Sequence, residues 1–347
     1  MRRRSQAIFS LCGISALLAT AVAMRTGDGP GSKMQTFASA WIETLDEAQK
    51  AKALVPYESK ERTTWNFIPL PTRKGLPLME MNLSQQTAAL RTVRAALSEA
   101  GYDKASKIMR NEALLRLLEG PGSEEKRNPE KYYTTIYGTP SATEPWGFSF
   151  EGHHLSLNFV CRDGVVVDSS PQFFAANPAT IKSDNSGQLP KGTRVLRLEE
   201  ELAFELVNNL PGELKCNAII AEKSPAEIRF ASMPQPEVTK PEGIAMAEMS
   251  AEAQERLMEL IHVYIDAVPQ EVAKERSQIV KSDGPGAIHF AWAGATESGI
   301  GHYYRIQGKS FLIEFVNTQP DAEGNPANHI HAVYRDMTGD FDLPIGK

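Results

Sequence analysis

Hydrophobic and polar positions alternate along residues 146–161, WGFSFEGHHLSLNFVC, where Phe148, Phe150, Leu155, Leu157 and Phe159 are interleaved with small or polar residues around Gly152. That is the period of a half-buried strand, and the glycine stands where the chain must reverse, so the stretch predicts a β-hairpin. Residues 302–317, HYYRIQGKSFLIEFVN, repeat the pattern with Tyr304, Ile306, Phe311, Ile313 and Phe315 around Gly308. Gly138 and Gly294, Gly152 and Gly308, Phe159 and Phe315, and Val160 and Val316 are each 156 residues apart. A constant offset without gaps predicts an internal duplication.

Elsewhere the apolar spacing is helical. Phe37, Trp41, Leu45, Ala48 and Ala51 predict a helix over residues 34–54, and further helices are expected at 84–100, closed by Gly101, at 103–119, closed by Gly120, at 198–210, at 251–267 and from Pro269 onward. Gly75, Met81 and Gln86 are echoed by Gly243, Met249 and Gln254 at an offset of 168. Because this exceeds the hairpin offset, the first half is expected to carry an insertion, for which the Pro-, Gly- and charge-rich residues 120–131 are the visible choice. Short strands are expected at 216–221, 228–231, 288–292 and 329–334. The fold class is therefore α+β, with two pseudo-repeats, each of helices followed by an antiparallel hairpin or sheet. The division runs through residues 34–233, a proline-marked linker at 234–242 and residues 243–347, with the halves packing as one globular unit.

Composition changes the picture mainly at the N-terminus. Arg2, Arg3 and Arg4 precede an apolar run at residues 7–23 ending in Ala21-Val22-Ala23, the pattern of a signal peptide, followed by a Gly-rich tether at 24–33. The run is short of the ~20 residues a membrane span needs, so the expected chain is exported to the periplasm or outside the cell, with no stable span after cleavage. The net charge of −6, more negative once those arginines are removed, argues against a nucleic-acid partner. Cys161 and Cys216 would remain; two cysteines make neither a disulfide framework nor a zinc cage, and one bridge or two free thiols stay open.

Six of the seven histidines, all but His262, lie in or beside the expected sheet. His329-Ile330-His331 is the sharpest element, because residues i and i+2 of a strand face one side with Cα atoms about 7 Å apart, within the reach of one metal ion. His154, read as sharing a polar strand face with Ser156 and Asn158, and Glu314, on the matching face of the second hairpin, complete a His/Glu set suited to zinc, copper or iron. His153, beside the turn, is expected to be structural or to support a ligand, with Asn158, Tyr303, Tyr304 and Arg335 near the substrate. Arg305 is read either as holding an anionic group or as pairing with Glu314, and Asp336 or Glu314 as a general base. There is no G-x-S-x-G, P-loop, G-x-G-x-x-G or H-E-x-x-H.

The runs WGFxFEGHHLSLNF at 146–159, PQFFAANPA at 171–179, FAWAG at 290–294, YYRIQG at 303–308 and NHIHAVYRD at 328–336 together resemble the bacterial and fungal domain of unknown function 3500 family. The resemblance spans the chain from about residue 34 onward and implies export but no established reaction. The chain departs from the family pattern at Asp340-Phe341-Asp342, where D-F-G followed by a further histidine is expected.

The functional expectation is an exported metal-binding protein acting as a metal-dependent hydrolase on an unidentified small molecule or polymer, with the site between the repeats. The alternatives are a metal-dependent oxidative enzyme using the same ligands and a non-catalytic module that binds sugar or peptide.

Overall fold

A computed structural model of the chain describes residues 29–185 and 189–345. The arginine-led apolar run and the first half of the tether, to residue 28, lie outside the described residues, and the tether's end opens the first helix.

The helical period at 34–54 is broken in two, α1 (Pro30–Glu43) and α2 (Glu47–Ala53). The break is made by Asp46, whose carboxylate accepts from the Gln49 N–H at 2.8 Å while the Gln49 side chain accepts from the Asp46 N–H at 3.2 Å. This reciprocal cap overrides the continuous apolar stripe. α3 (Leu83–Ala96) begins on an equivalent Asn82/Gln85 box, and α4 (Glu99–Glu119) begins on Ser98, whose hydroxyl accepts from Gly101. Gly101 therefore opens a helix rather than closing one. The remaining helices are α5 (Arg197–Asn209), α6 (Gly212–Ala218), α7 (Ala251–Ile265) and α8 (Gln270–Asp283).

Thirteen strands form one sheet among the described residues. They are β1 (Leu54–Val55), β2 (Leu76–Pro77), β3 (Tyr133–Tyr137), β4 (Trp146–Gly152), β5 (Leu155–Arg162), β6 (Val165–Asp168), β7 (Gln172–Ala176), β8 (Ile219–Ala221), β9 (Ile244–Ala245), β10 (His289–Gly294), β11 (His302–Gln307), β12 (Phe311–Gln319) and β13 (His329–Asp336). The predicted strand at 216–221 is thus half helix. The stretch at 228–231 is irregular, with positive φ at Phe230, because it belongs to a loop lying on the sheet.

The order is β1-β3-β4-β5-β7-β13-β12-β11-β10-β8, with antiparallel pairing everywhere except the parallel edge pairs β1/β3 and β8/β10. Both expected hairpins form, β4/β5 with Phe148 opposite Phe159 and β11/β12 with Tyr304 opposite Phe315. Strands β7 and β13 meet in the middle, with Phe173 opposite Val333 and Ala175 opposite His331.

Alternation along these strands divides the structure into layers. Phe148, Phe150, Leu155, Leu157, Ile313, Phe315 and Ile330 pack with Trp41, Val93, Leu206 and Leu260 of the helices in the main core. Trp41, Trp146 and Trp292 are fully buried there, and truncating any of them to alanine would cost about 3–5 kcal/mol. The opposite face carries Phe173, Ala175, Tyr303, Val316 and Val333, and loops cover it by inserting Trp65, Phe67, Ile228 and Phe341. Residues 234–242 belong to that cover: Gln235 donates to the Asp340 carbonyl at 2.9 Å, and the Thr239 hydroxyl accepts from Arg305 at 2.9 Å. No described helix is long and apolar enough to cross a membrane. Among the described residues the two cysteines are free thiols, Cys161 buried and Cys216 exposed.

Candidate metal centre

The loop-covered face of the sheet brings three histidines together. His329 and His331 project from β13 on the side of Val333, since Ile330 and Ala332 enter the helical core. His154 comes from the two-residue turn between β4 and β5, not from a strand face beside Ser156 and Asn158, and its φ is 63°. A non-glycine residue in this region is strained by about 1–3 kcal/mol unless its surroundings hold it. Here the His154 N–H donates to the Phe67 carbonyl and its carbonyl accepts from the Ala175 N–H, both at 2.9 Å.

The ring nitrogens converge. His329 Nε2 lies 2.9 Å from His154 Nε2 and 3.0 Å from His331 Nε2, and the three ligand atoms fall within 4.8 Å of one another. A ring nitrogen carries either one proton or one in-plane lone pair, so His329 Nε2 cannot form two well-directed N–H···N bonds. A common ion would account for the two short separations, because tetrahedral zinc with nitrogens at about 2.0–2.1 Å spaces them roughly 3.3 Å apart.

Glu227 orients one ring, and burial favours the neutral, lone-pair form of the other two, His329 and His154. His331 Nδ1 is 2.9 and 2.8 Å from the two oxygens of Glu227, an arrangement in which Nδ1–H donates and Nε2 is left to bind. The rings of Phe67 and Phe173 stand 5.1 and 5.6 Å from His331. Burial, then the neighbouring His331 and Arg127, pull His329 down to about 3. Burial, then His153 and His329, hold His154 well below the ordinary imidazole range. Asn177, at the end of β7, places its amide 3.4 Å from His329 Nδ1.

Behind His154 stands a second polar group. His153 stacks on His154 at 3.6 Å between ring centroids and is hydrogen-bonded to Glu112 of α4, while Arg127 Nη1 reaches His153 Nδ1 at 2.9 Å and Nη2 pairs with Glu119 at 2.6 Å. Glu112, His153 and His154 also cluster closely enough for an ion, but the Arg127 guanidinium already occupies the His153 nitrogen. Burial pushes the Glu112 carboxyl up to about 8. Arg127 comes from residues 120–131, read from sequence as a solvated insertion.

The other expected site residues lie elsewhere. Glu314 is in neither histidine group: it accepts from the Tyr303 hydroxyl, lies 3.7 Å from Arg305 Nη1 and accepts from the Arg229 N–H at 3.3 Å. Arg305 also donates to Gln307. Tyr304 is in the helical core, with its hydroxyl 2.5 Å from that of Tyr264. Asn158 donates to the Pro171 carbonyl at 3.0 Å. Arg335 pairs with Asp340 at 2.5 Å, and the Asp336 carboxylate accepts from Thr338. Glu227, Phe67, Asn177, Glu112 and Arg127 surround the centre without any local sequence signal, since each reaches it from a loop or helix distant in the chain.

The family model described as Protein of unknown function (DUF3500) matches residues 28–343. The chain belongs to this family. No curated protein and no solved structure matches it.

Proposed function

We propose that this protein binds a divalent transition metal, zinc, copper or iron, through His154, His329 and His331, and uses it in hydrolysis. The observation carrying this reading is the convergence of the three Nε2 atoms. Three protein ligands leave one coordination position for water or substrate, as catalytic rather than structural sites do. The partly exposed His329 and Glu227, whose side chain is 32% accessible, mark the open side. A metal at these nitrogens would polarise a substrate oxygen and lower the pKa of bound water. Glu227 would orient His331, and the His153–Glu112–Arg127 group would fix the plane of His154.

Two further readings belong with this one. Descent from two fused repeats is supported by a strand order that runs alike from both edges, a short parallel strand and then a hairpin on each side, and by the paired offsets in sequence. Export is supported by the arginine-led apolar run ending in small residues.

Elemental analysis of the purified chain lacking residues 1–23 tests the metal reading. Roughly one equivalent of metal is expected, lost in a His329→Ala/His331→Ala variant that still folds. A chain that stays metal-free after incubation with zinc, copper(II) and iron(II) would exclude it.

A further inference from the structure

Three cavities meet at one side chain. Arg73 lines a cavity of about 690 Å³ together with Lys52, Lys74 and Tyr133, a second of about 320 Å³ with Trp65 and Glu151, and a narrow cleft that ends on Glu112 and His153. Its guanidinium is held by backbone carbonyls, Nη1 donating to Asn66 at 2.7 Å and Nη2 to Ile68, and it makes no ion pair among the described residues. Most of the nearby carboxylates are engaged by other cations: Glu80 pairs with Lys52, Glu125 lies 3.5 Å from Lys131 and Glu151 lies 3.6 Å from Lys74. Burial pulls the Arg73 pKa down, with Glu151 the largest opposing influence. A cation so placed gains from an anion brought to it.

The same turn occurs a second time in the chain with other residues before its glycine. Gly75 and Gly243 have φ of 91° and 80°, and a Cβ on either would strike backbone, the Thr134 carbonyl oxygen at 2.7 Å in one case and that of Phe290 at 2.1 Å in the other. The turns are alike, yet Arg73-Lys74 precede Gly75 whereas Pro241-Glu242 precede Gly243. A glycine turn of this shape is thus compatible with uncharged or acidic residues before it, although here Lys74 also donates to the Glu61 and Thr64 carbonyls.

We propose that the cavities around Arg73 form a binding site for a small solute bearing an oxyanion, a carboxylate or a phosphate ester on a sugar-sized body. The planar guanidinium matches the two oxygens of such a group, Lys74, shared with Glu151 at 3.6 Å, reinforces the positive field, and Trp65 and Tyr133 line the cavities with flat apolar surface. This site goes beyond the metal centre and does not depend on it.

Isothermal titration of the chain with inorganic phosphate and, separately, with glucuronate in a chloride buffer tests the proposal and separates the two sources of oxyanion. Saturable binding of at least one is expected, weakened at least tenfold by Arg73→Gln and severalfold by Lys74→Gln, and unchanged in His329→Ala/His331→Ala. The proposal is overturned if neither anion saturates or if both cation variants bind as the natural chain does. It is overturned equally if binding vanishes with the two histidines, which would place the anion at the metal centre. Should Arg73→Gln not fold by circular dichroism, Lys74→Gln and Lys131→Gln carry the same comparison.

Discussion

His329 Nε2 and His154 Nε2 are 2.9 Å apart although 175 residues separate them in the chain. The contact exists because β7 pairs with β5 on one side and β13 on the other, bringing the β4–β5 turn beside the start of β13. Neither hairpin makes the centre by itself.

Glu227 is expected to act through His331. Replacing it with glutamine removes the charge that orients Nδ1–H, and should weaken zinc binding about 10–100-fold while leaving the melting temperature of the metal-free chain unchanged. Competition with a chromogenic chelator measures this. An unaltered affinity would show that Glu227 does not support the ligand.

The two thiols should differ sharply in reactivity. Burial pushes Cys161 up to about 12, whereas Cys216 is exposed. A disulfide reagent added to the native chain lacking residues 1–23, and so lacking Cys12, should titrate one thiol quickly and the second only on unfolding, because the thiolate is the reacting form. Two fast equivalents would contradict the packing of Cys161 in the main core.

Asp168 gives a pH dependence of stability. Burial, then the Asp340 and Asp336 carboxylates, push its carboxyl up to about 8, against hydrogen bonds from Asp342 and Ser170. The folded chain therefore holds this proton more tightly than the unfolded chain, whose carboxyl titrates near pH 4. Its contribution is fully present below about pH 4 and is lost as pH rises through about 8. Urea unfolding at a series of pH values should show a fall in stability over that window, flattened in Asp168→Asn. A natural chain and variant with parallel profiles would refute the assignment.

Arg335 and Asp340 form a buried pair that anchors the end of the chain, with Arg335 also donating to the Met233 carbonyl at 2.9 Å and lying over the Trp65 ring. Asp340→Ala leaves the guanidinium buried and uncompensated and should cost about 3–5 kcal/mol. The Arg335→Met/Asp340→Leu double variant should cost less than the sum of its single changes. Denaturant titration of the natural chain, Asp340→Ala, the two single changes and the double variant checks both, and strict additivity would show that the pair is not coupled.

Much of the fold was legible because it is local. The two hairpins next to Gly152 and Gly308, the alternation that sends Phe148 and Ile313 to one face, and the helical stripes through Trp41 and Leu260 follow from period, although the first reversal is made by His153 and His154 rather than by the glycine. The errors have local physical causes too: the Asp46/Gln49 cap interrupts a continuous stripe, and Ser98 turns Gly101 from the end of one helix into the first turn of another. His154 does not occupy the strand face that alternation predicts for it, yet the turn brings its ring to His329 and His331, though not to Glu314.

The sequence by itself determined which side chains leave each strand on the same side, since a period of two admits no other outcome; His329 and His331 were bound to share a face. Only the tertiary structure decided what stood opposite them. The meeting of β7 with β13 and the laying of loops over the exposed face selected Glu227 and His154 as neighbours and left Glu314 to Arg305 and Tyr303. Such choices depend on strand order and loop paths, which are set by the summed burial of the whole core and leave no mark at the residues they join.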